Sequence, residues 1–242
     1  MIRGAIWLGI AGLFARGLGA LYRVALVRLV GAEAIGIFQM ASPIFRLALH
    51  LATLGLPGPV AQMTSDARGR ARRLQARRVE QTGLGLTVVA TLATGAGLAL
   101  LTPWIGQRLL HDERSLLAVR VLPLWLLPAA VGTVVRAIAQ GRQMMADLAA
   151  TQTVEQVVRV GAVMALAWMA LPFGHGTVAA AIVVGSAVGE LVSLLALAWR
   201  LRVGPPSWPP VPLPAASRTG GVGLLWASPL AVARRLLRLA SP

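Results

Sequence analysis

The sequence predicts an all-α protein, a polytopic bundle of membrane-spanning helices. Of its residues, 57% are hydrophobic and only 13% are charged, and the apolar residues gather in long windows. The mean hydropathy of +0.72 is too high for a soluble domain, which must cover its surface with polar groups. The basic residues, all arginine, are also distributed unevenly among the segments between the windows.

Six windows are long enough to span a membrane, because a helix needs about 20 apolar residues to cross about 30 Å of hydrocarbon. They lie at residues 4–29, 35–63, 82–107, 116–140, 148–171 and 177–200. A seventh apolar run starts near Gly221 and is cut off at Pro242. We therefore expect six transmembrane helices plus a truncated seventh, an arrangement typical of one lobe of a two-lobed transporter.

A proline-rich stretch divides the chain into three parts. Six prolines between Pro205 and Pro214 prevent a helix there and favour an extended, semi-rigid connector. The expected parts are a six-helix transmembrane lobe at 1–203, a cytoplasmic linker at 204–220 and the start of the seventh helix at 221–242.

The arginines between the windows predict the orientation in the membrane. An expected loop at residues 66–80 carries six of them, and the connections around Arg142 and Arg200–Arg218 fall on the same side. Short loops rich in arginine face the cytoplasm, so the N-terminus is also expected to be cytoplasmic. Anionic membrane lipid is the expected electrostatic partner of this chain. For the 66–80 arginines, however, setting the topology is a simpler role than binding such a lipid.

Four arginines lie inside or beside the first two windows, where hydrocarbon normally excludes charge: Arg16, Arg23, Arg28 and Arg46. Each costs roughly 2.5–3.5 kcal/mol at the centre of a span, so a compensating ligand, water or partner is expected. Arg16 and Arg23 share one helical face, whereas Arg28 lies nearer the outer end and is expected to reach the interface. Because a guanidinium can bind two phosphate oxygens at once, we predict that Arg16, Arg23 and Arg46 bind an anionic substrate.

The second, fifth and sixth windows carry further polar residues, which are candidates for lining a cavity or for ion coupling: Gln39, His50, Gln152, Glu155, Gln156, Arg159 and Glu190. Glu155 and Arg159 are four residues apart and can pair along the helix, as a structural pair or as part of a cavity wall. Glu190 has no local partner and is expected to pair with an arginine of another helix. His50 is a packing residue or a proton-coupling residue. Arg136, towards the end of the fourth window, is expected to pair or to reach the interface.

Several function classes are disfavoured. The chain has no cysteine, its three histidines fall in different segments, and no nucleophile–base arrangement, metal-ligand cluster or phosphate-cradling loop is visible. We therefore expect no enzymatic activity, no cofactor and no metal. A nucleic-acid binder would carry its arginines on solvated faces, whereas here they interrupt hydrophobic spans.

Four stretches of the sequence carry a family likeness: residues 14–23, 29–39, 136–144 and 152–160. They resemble the oligosaccharide-flippase branch of the multidrug/oligosaccharidyl-lipid/polysaccharide exporter superfamily, and the likeness extends to Ser228–Leu230. The resemblance implies a transporter of the bacterial cytoplasmic membrane that moves an undecaprenyl-pyrophosphate-linked saccharide by alternating access. It also implies that Arg16 and Arg23 face the cavity, with Arg46 at a position where related flippases carry cavity arginines.

Two alternatives to the flippase hypothesis stay open. A cation-coupled multidrug exporter of the same superfamily would need a carboxylate on the early helices, and residues 4–29 contain none. A non-transporting fragment is the other alternative, since the family has about fourteen helices in two lobes. A transporting form would need a second lobe, either a C-terminal one or a second copy.

Overall fold

The structure, a computed structural model, describes residues 2–70, 72–110 and 113–203, with the helical backbone alone at residues 2–21, 23, 73, 107, 109–110 and 113–114. The helices are α1 (Ile2–Thr53), α2 (Pro57–Gly69), α3 (Arg73–Trp104), α4 (Glu113–Gly141), α5 (Met145–Ala170) and α6 (His175–Val203). A π-helical turn follows α3 and a short 3-10 turn follows α5. The predicted linker at 204–220 and seventh helix at 221–242 lie outside the described residues.

The all-α class is confirmed in the described part of the chain. Five helical segments are long and apolar enough to cross a membrane: Val24–Gly69, Leu74–Trp104, Ser115–Gly141, Met145–Phe173 and His175–Val203. The last three agree closely with the predicted windows at 116–140, 148–171 and 177–200. The predicted window at 35–63 falls within the first of these segments, whereas the window at 4–29 overlaps it only from Val24 onwards.

Gly31 interrupts α1 at the place where the sequence predicts a connection. Its φ of 80° and ψ of 165° are not helical, and this region is accessible almost only to glycine. The buried side chains before and just after Gly31, such as Leu26 and Ala34, share a cluster with residues of α5 and α6. From Ile37 onwards they belong to another cluster, centred on α4. Gly31 therefore divides α1 into two parts with different neighbours.

The predicted span at 35–63 is too long, because α1 ends at Thr53. Leu54 and Gly55 both have positive φ, and α2 begins at Pro57, where a proline is compatible with the first helical turn. The predicted window at 35–63 is therefore divided between two helices. Pro43, by contrast, lies inside α1 without ending it.

The predicted loop at 66–80 is wrong in its conformation. Helix α2 extends to Gly69 and α3 begins at Arg73, so most of these arginines are helical. Arginine has a high helix propensity, and a run of charge does not by itself end a helix. The charge-free part of α3 is expected to pack or face lipid, and Val89 and Leu100 are indeed exposed.

Helix α4 lies at the centre of the bundle and contacts α1, α2, α3 and α6. Its Leu122 and Leu126 are fully buried. Trp125 stacks on Phe45 of α1 with ring centroids 3.8 Å apart. Near the other end of α4, a Cβ atom at Gly141 would lie 2.6 Å from the Ala61 carbonyl oxygen of α2, so only glycine allows this close approach.

Helices α5 and α6 also approach each other closely, through two glycines one helical turn apart. A Cβ atom at Gly185 would lie 2.7 Å from the Val163 Cα, and one at Gly189 would lie 2.7 Å from the Arg159 Cβ. Small residues spaced by four allow membrane helices to bring their backbones into contact. This approach sets the register of the charged residues on α5 and α6.

We expect Gly189→Ala to destabilise the chain, because the added methyl group overlaps the stem of Arg159. Overpacking of this kind costs about 1–3 kcal/mol, measurable as a lower thermal unfolding midpoint of the purified chain in detergent. Gly161→Ala is the matched control: it adds the same methyl group to α5 where no atom lies within 4 Å. Equal midpoints for the two variants would contradict the proposed contact.

Candidate functional site

Two arginines and two glutamates meet where α4, α5 and α6 pack together. We call this group the ion-pair cluster: Arg136 of α4, Glu155 and Arg159 of α5, and Glu190 of α6. Their side chains are between 11% and 25% exposed, so the cluster is largely enclosed by the bundle. All four residues lie within segments that are apolar enough to cross a membrane.

Each glutamate of the ion-pair cluster binds both arginines. The Arg136 guanidinium donates to Glu155 Oε2 at 3.1 Å and to Glu190 Oε2 at 3.1 and 3.2 Å. Arg159 Nη2 donates to Glu155 on its own helix and, at 3.5 Å, to Glu190 Oε1 on α6. The four formal charges sum to zero, so the cluster needs no further counter-ion.

Glycines make room for the ion-pair cluster. Gly189 packs against the stem of Arg159, which holds Glu190 beside it. At Gly132, a Cβ atom would lie 3.6 Å from both the Arg136 guanidinium and the Glu190 carboxylate. The first half of α1 also approaches this part of α5, because Tyr22 packs against the hydrophobic cluster that contains Val163, one helical turn after Arg159. Arg23 follows Tyr22 directly in the chain.

The predicted pairing of Glu155 with Arg159 is confirmed. The predicted pairing of Glu190 with an arginine of another helix is confirmed as well. Gln152 and Gln156 take no part in the cluster: Gln152 is exposed and Gln156 is half-buried. Of the two expectations for Arg136, pairing is confirmed: its guanidinium joins α4 to both α5 and α6. The sequence does not indicate which helices Arg136 joins, since its partners lie 19 and 54 positions away.

A second polar feature lies on the second half of α1. We call it the polar face: Gln39, Arg46 and His50 are all exposed and share one side of the helix. The opposite side is buried against α3, α4 and α6 through Ala41 and Phe45. None of the three polar-face side chains forms a hydrogen bond or ion pair with another residue in the described part of the chain.

Two hydroxyl groups near the polar face are already engaged. The Ser42 hydroxyl donates to the Phe38 carbonyl at 3.0 Å, and the Thr53 hydroxyl donates to the Leu49 carbonyl at 2.9 Å. Neither hydroxyl therefore adds a free donor to this surface. Arg16 and Arg23 lie on the first half of α1, and their side chains fall outside what the structure describes.

Within residues 2–70, 72–110 and 113–203, no group of three or more histidine, aspartate or glutamate side chains is arranged to hold a metal ion. The carboxylates of the ion-pair cluster are bound by arginines instead. Its chemistry is therefore that of mutual charge neutralisation, whereas the polar face offers an uncommitted guanidinium.

The sequence is similar to several known proteins. A family model described as polysaccharide biosynthesis protein matches residues 1–211. Stage V sporulation protein B of Bacillus subtilis (strain 168) is 32% identical over 196 residues, which cover 81% of this chain and 38% of that protein. Lipid II flippase MurJ of the same organism is 28% identical over 221 residues, covering 84% of this chain and 40% of MurJ.

A third relative, the uncharacterized membrane protein YabM of the same organism, is 27% identical over 200 residues, covering 81% of this chain and 36% of YabM. The chain thus spans about two fifths of the length of the curated relatives it matches. No solved structure matches it. Because the family model covers most of the chain, this multi-pass membrane protein belongs to the polysaccharide biosynthesis protein family.

Proposed function

We propose that this chain forms the N-terminal lobe of a flippase that moves an undecaprenyl-pyrophosphate-linked saccharide across the bacterial cytoplasmic membrane by alternating access. Family membership and the similarity to a protein named lipid II flippase support this function. The observation that carries it is the contrast between two kinds of intramembrane arginine. Arg136 and Arg159 are neutralised, whereas Arg46 is exposed without a protein partner in the described part of the chain.

The proposed lobe contains six spans. Gly31 would separate the first span from the second, since its backbone is not helical and the two parts of α1 have different neighbours. A seventh span would begin at 221–242, after a linker at 204–220. The arginine-rich end of the bundle and the N-terminus would face the cytoplasm, following the positive-inside rule.

Arg46 is suited to bind a diphosphate. It lies 14 residues beyond Ala32, or roughly 21 Å along the helix axis, which places it within the apolar part of the span. A guanidinium there loses hydration and gains strongly from two parallel hydrogen bonds to phosphate oxygens. Arg16 and Arg23 would complete the anion site from the first half of α1, with Gln39 and His50 beside it on the polar face.

The ion-pair cluster supports a structural role better than an ion-coupling role. A coupling carboxylate must exchange its proton or cation, yet Glu155 and Glu190 each bind two arginines. Releasing either glutamate would leave an excess of buried positive charge, which is costly in a membrane. We therefore assign these residues to holding α4, α5 and α6 in register, which disfavours the multidrug-exporter alternative.

We expect Arg46→Gln to weaken binding of undecaprenyl pyrophosphate to the purified chain by about tenfold or more, since a hydrogen bond to a charged group contributes about 1.5–3 kcal/mol. Isothermal titration in an uncharged detergent measures this change. Arg120→Gln is the matched control, because it removes another exposed arginine, from α4. Equal affinities for the Arg46 variant and the unmodified chain would refute the assignment of Arg46.

In a full-length relative, replacing the residue that matches Arg16 with glutamine should abolish most translocation of the lipid-linked precursor. The same change at the position matching Arg28 should leave translocation largely intact, because Arg28 is predicted to reach the interface. Accessibility of the precursor to an external enzyme reports the translocated fraction. Full transport by the first variant would exclude a role for Arg16 in the anion site.

Glu190→Leu should destabilise the chain by about 3–5 kcal/mol, because it leaves two arginines facing one glutamate in a buried site. The double variant Arg136→Leu/Glu190→Leu keeps the charges balanced and should be more stable than the single variant. Thermal unfolding of both proteins in detergent tests this order. A double variant less stable than Glu190→Leu would contradict the neutralisation argument.

A further inference from the structure

One end of the bundle carries a dense set of arginines that neither the ion-pair cluster nor the polar face uses. We call it the basic end: residues 66–70, 72–80, 142–147 and 200–203, which contain nine arginines and three acidic residues. Several of these arginines are exposed, namely Arg70, Arg72, Arg77, Arg78, Arg200 and Arg202. The basic end therefore combines high charge with access to the surroundings.

Two of the three acidic residues of the basic end bind arginines other than Arg77 and Arg78. Glu80 is buried and accepts hydrogen bonds from Arg142 Nε and Nη2, the first at 2.9 Å. Asp147 lies 3.6 Å from Arg200. Arg77 and Arg78 form no ion pair with another residue that the structure describes. Their charge thus remains available to a partner.

Arg142 brings two parts of the basic end together. While its Nε and Nη2 bind Glu80 of α3, its Nη1 donates to the Leu201 carbonyl of α6 at 3.0 Å. Since one guanidinium contacts both helices, the exposed arginines before Glu80 and on either side of Leu201 lie around the same point. The basic end is therefore one surface built from the ends of α3 and α6.

Two exposed apolar side chains accompany these arginines. Leu74 is 78% exposed and precedes Arg77 and Arg78 by three and four residues, which places all three on one side of α3. Trp199 of α6 is 59% exposed, with the Arg200 guanidinium 5.6 Å from its ring centroid. Leucine and tryptophan beside arginine are typical of surfaces that enter the headgroup layer of a membrane.

We propose that the basic end is a binding site for the anionic headgroups of phospholipids, with Leu74 and Trp199 inserted among the adjacent acyl chains. The arginines supply charge-assisted hydrogen bonds to phosphate oxygens, and the apolar pair favours a lipid over a free phosphate ion. This role goes beyond setting topology, which needs positive charge but no preference for a particular headgroup. It also holds independently of the transport function proposed above.

The test uses the purified full chain in an uncharged maltoside detergent, titrated with phosphatidylglycerol or with phosphatidylcholine. Native mass spectrometry counts the bound lipids, and the apparent affinity for each lipid is compared. We expect phosphatidylglycerol to bind more tightly, and Arg77→Gln/Arg78→Gln to reduce that affinity by about fivefold for each arginine. The phosphatidylcholine affinity should not change. Raising the salt concentration should reduce the preference for phosphatidylglycerol.

Arg108→Gln/Arg120→Gln is the matched control, because it removes two exposed arginines outside the basic end. An equal loss of phosphatidylglycerol affinity in this control would overturn the proposal in favour of a simple net-charge effect.

Leu74→Ser should lower the affinity for both lipids alike, and unchanged binding by this variant would refute insertion of Leu74. Circular dichroism checks that each variant is folded. If the unmodified chain did not bind undecaprenyl pyrophosphate but still preferred phosphatidylglycerol to phosphatidylcholine, that result would refute only the proposed transport function.

Discussion

The mutual neutralisation of two arginines and two glutamates is the interaction on which the rest of the bundle depends. Arg136 and Arg159 would each cost roughly 2.5–3.5 kcal/mol if left alone in hydrocarbon. Their neutralisation requires carboxylates from two helices at 3.1–3.5 Å, so α4, α5 and α6 must stay together. Such distances are possible because Gly189 lets the α6 backbone approach Arg159.

This arrangement divides the intramembrane arginines by role. Those bound within the ion-pair cluster are fixed by several partners and contribute to architecture. Ala41 and Phe45 are buried on one side of α1, and Arg46 lies on the opposite side of this helix. Its charge therefore stays outside the packed core. A lobe built in this way can keep its own helices rigid while presenting a separate cationic surface, as the proposed alternating-access transport requires.

The long helices of the second half of the chain could be predicted closely, because span length and hydropathy are local properties. The contacts between them are not local: Arg136 binds residues 19 and 54 positions away, and Arg142 binds Glu80 across 62 positions. Glu80 gave no signal in the sequence, since its neighbours there are arginines that it does not bind. The loop predicted at 66–80 is largely helical, because arginine readily forms helix and a run of charge does not by itself indicate a loop.

For the candidate site, sequence reasoning identified three of the four members of the ion-pair cluster and the exposed polar face of α1. The sequence alone does not distinguish arginines that bind carboxylates within the bundle from arginines that remain exposed, because that distinction depends on which side chains meet after folding. Glu155 illustrates this limit: its spacing from Arg159 predicted the pair, but only the packing of α4 revealed the second arginine.

The hydrogen bonds from Arg142 to Glu80 and to the Leu201 carbonyl have a mechanical consequence. Helix α6 ends at Val203, so the anchored carbonyl lies in its last turn, just before the chain continues towards residue 204. A force applied to the chain beyond Val203 would be transmitted by the Arg142 guanidinium to α3 and α4. The load would then be shared by three helices, and the last turn of α6 would resist unwinding.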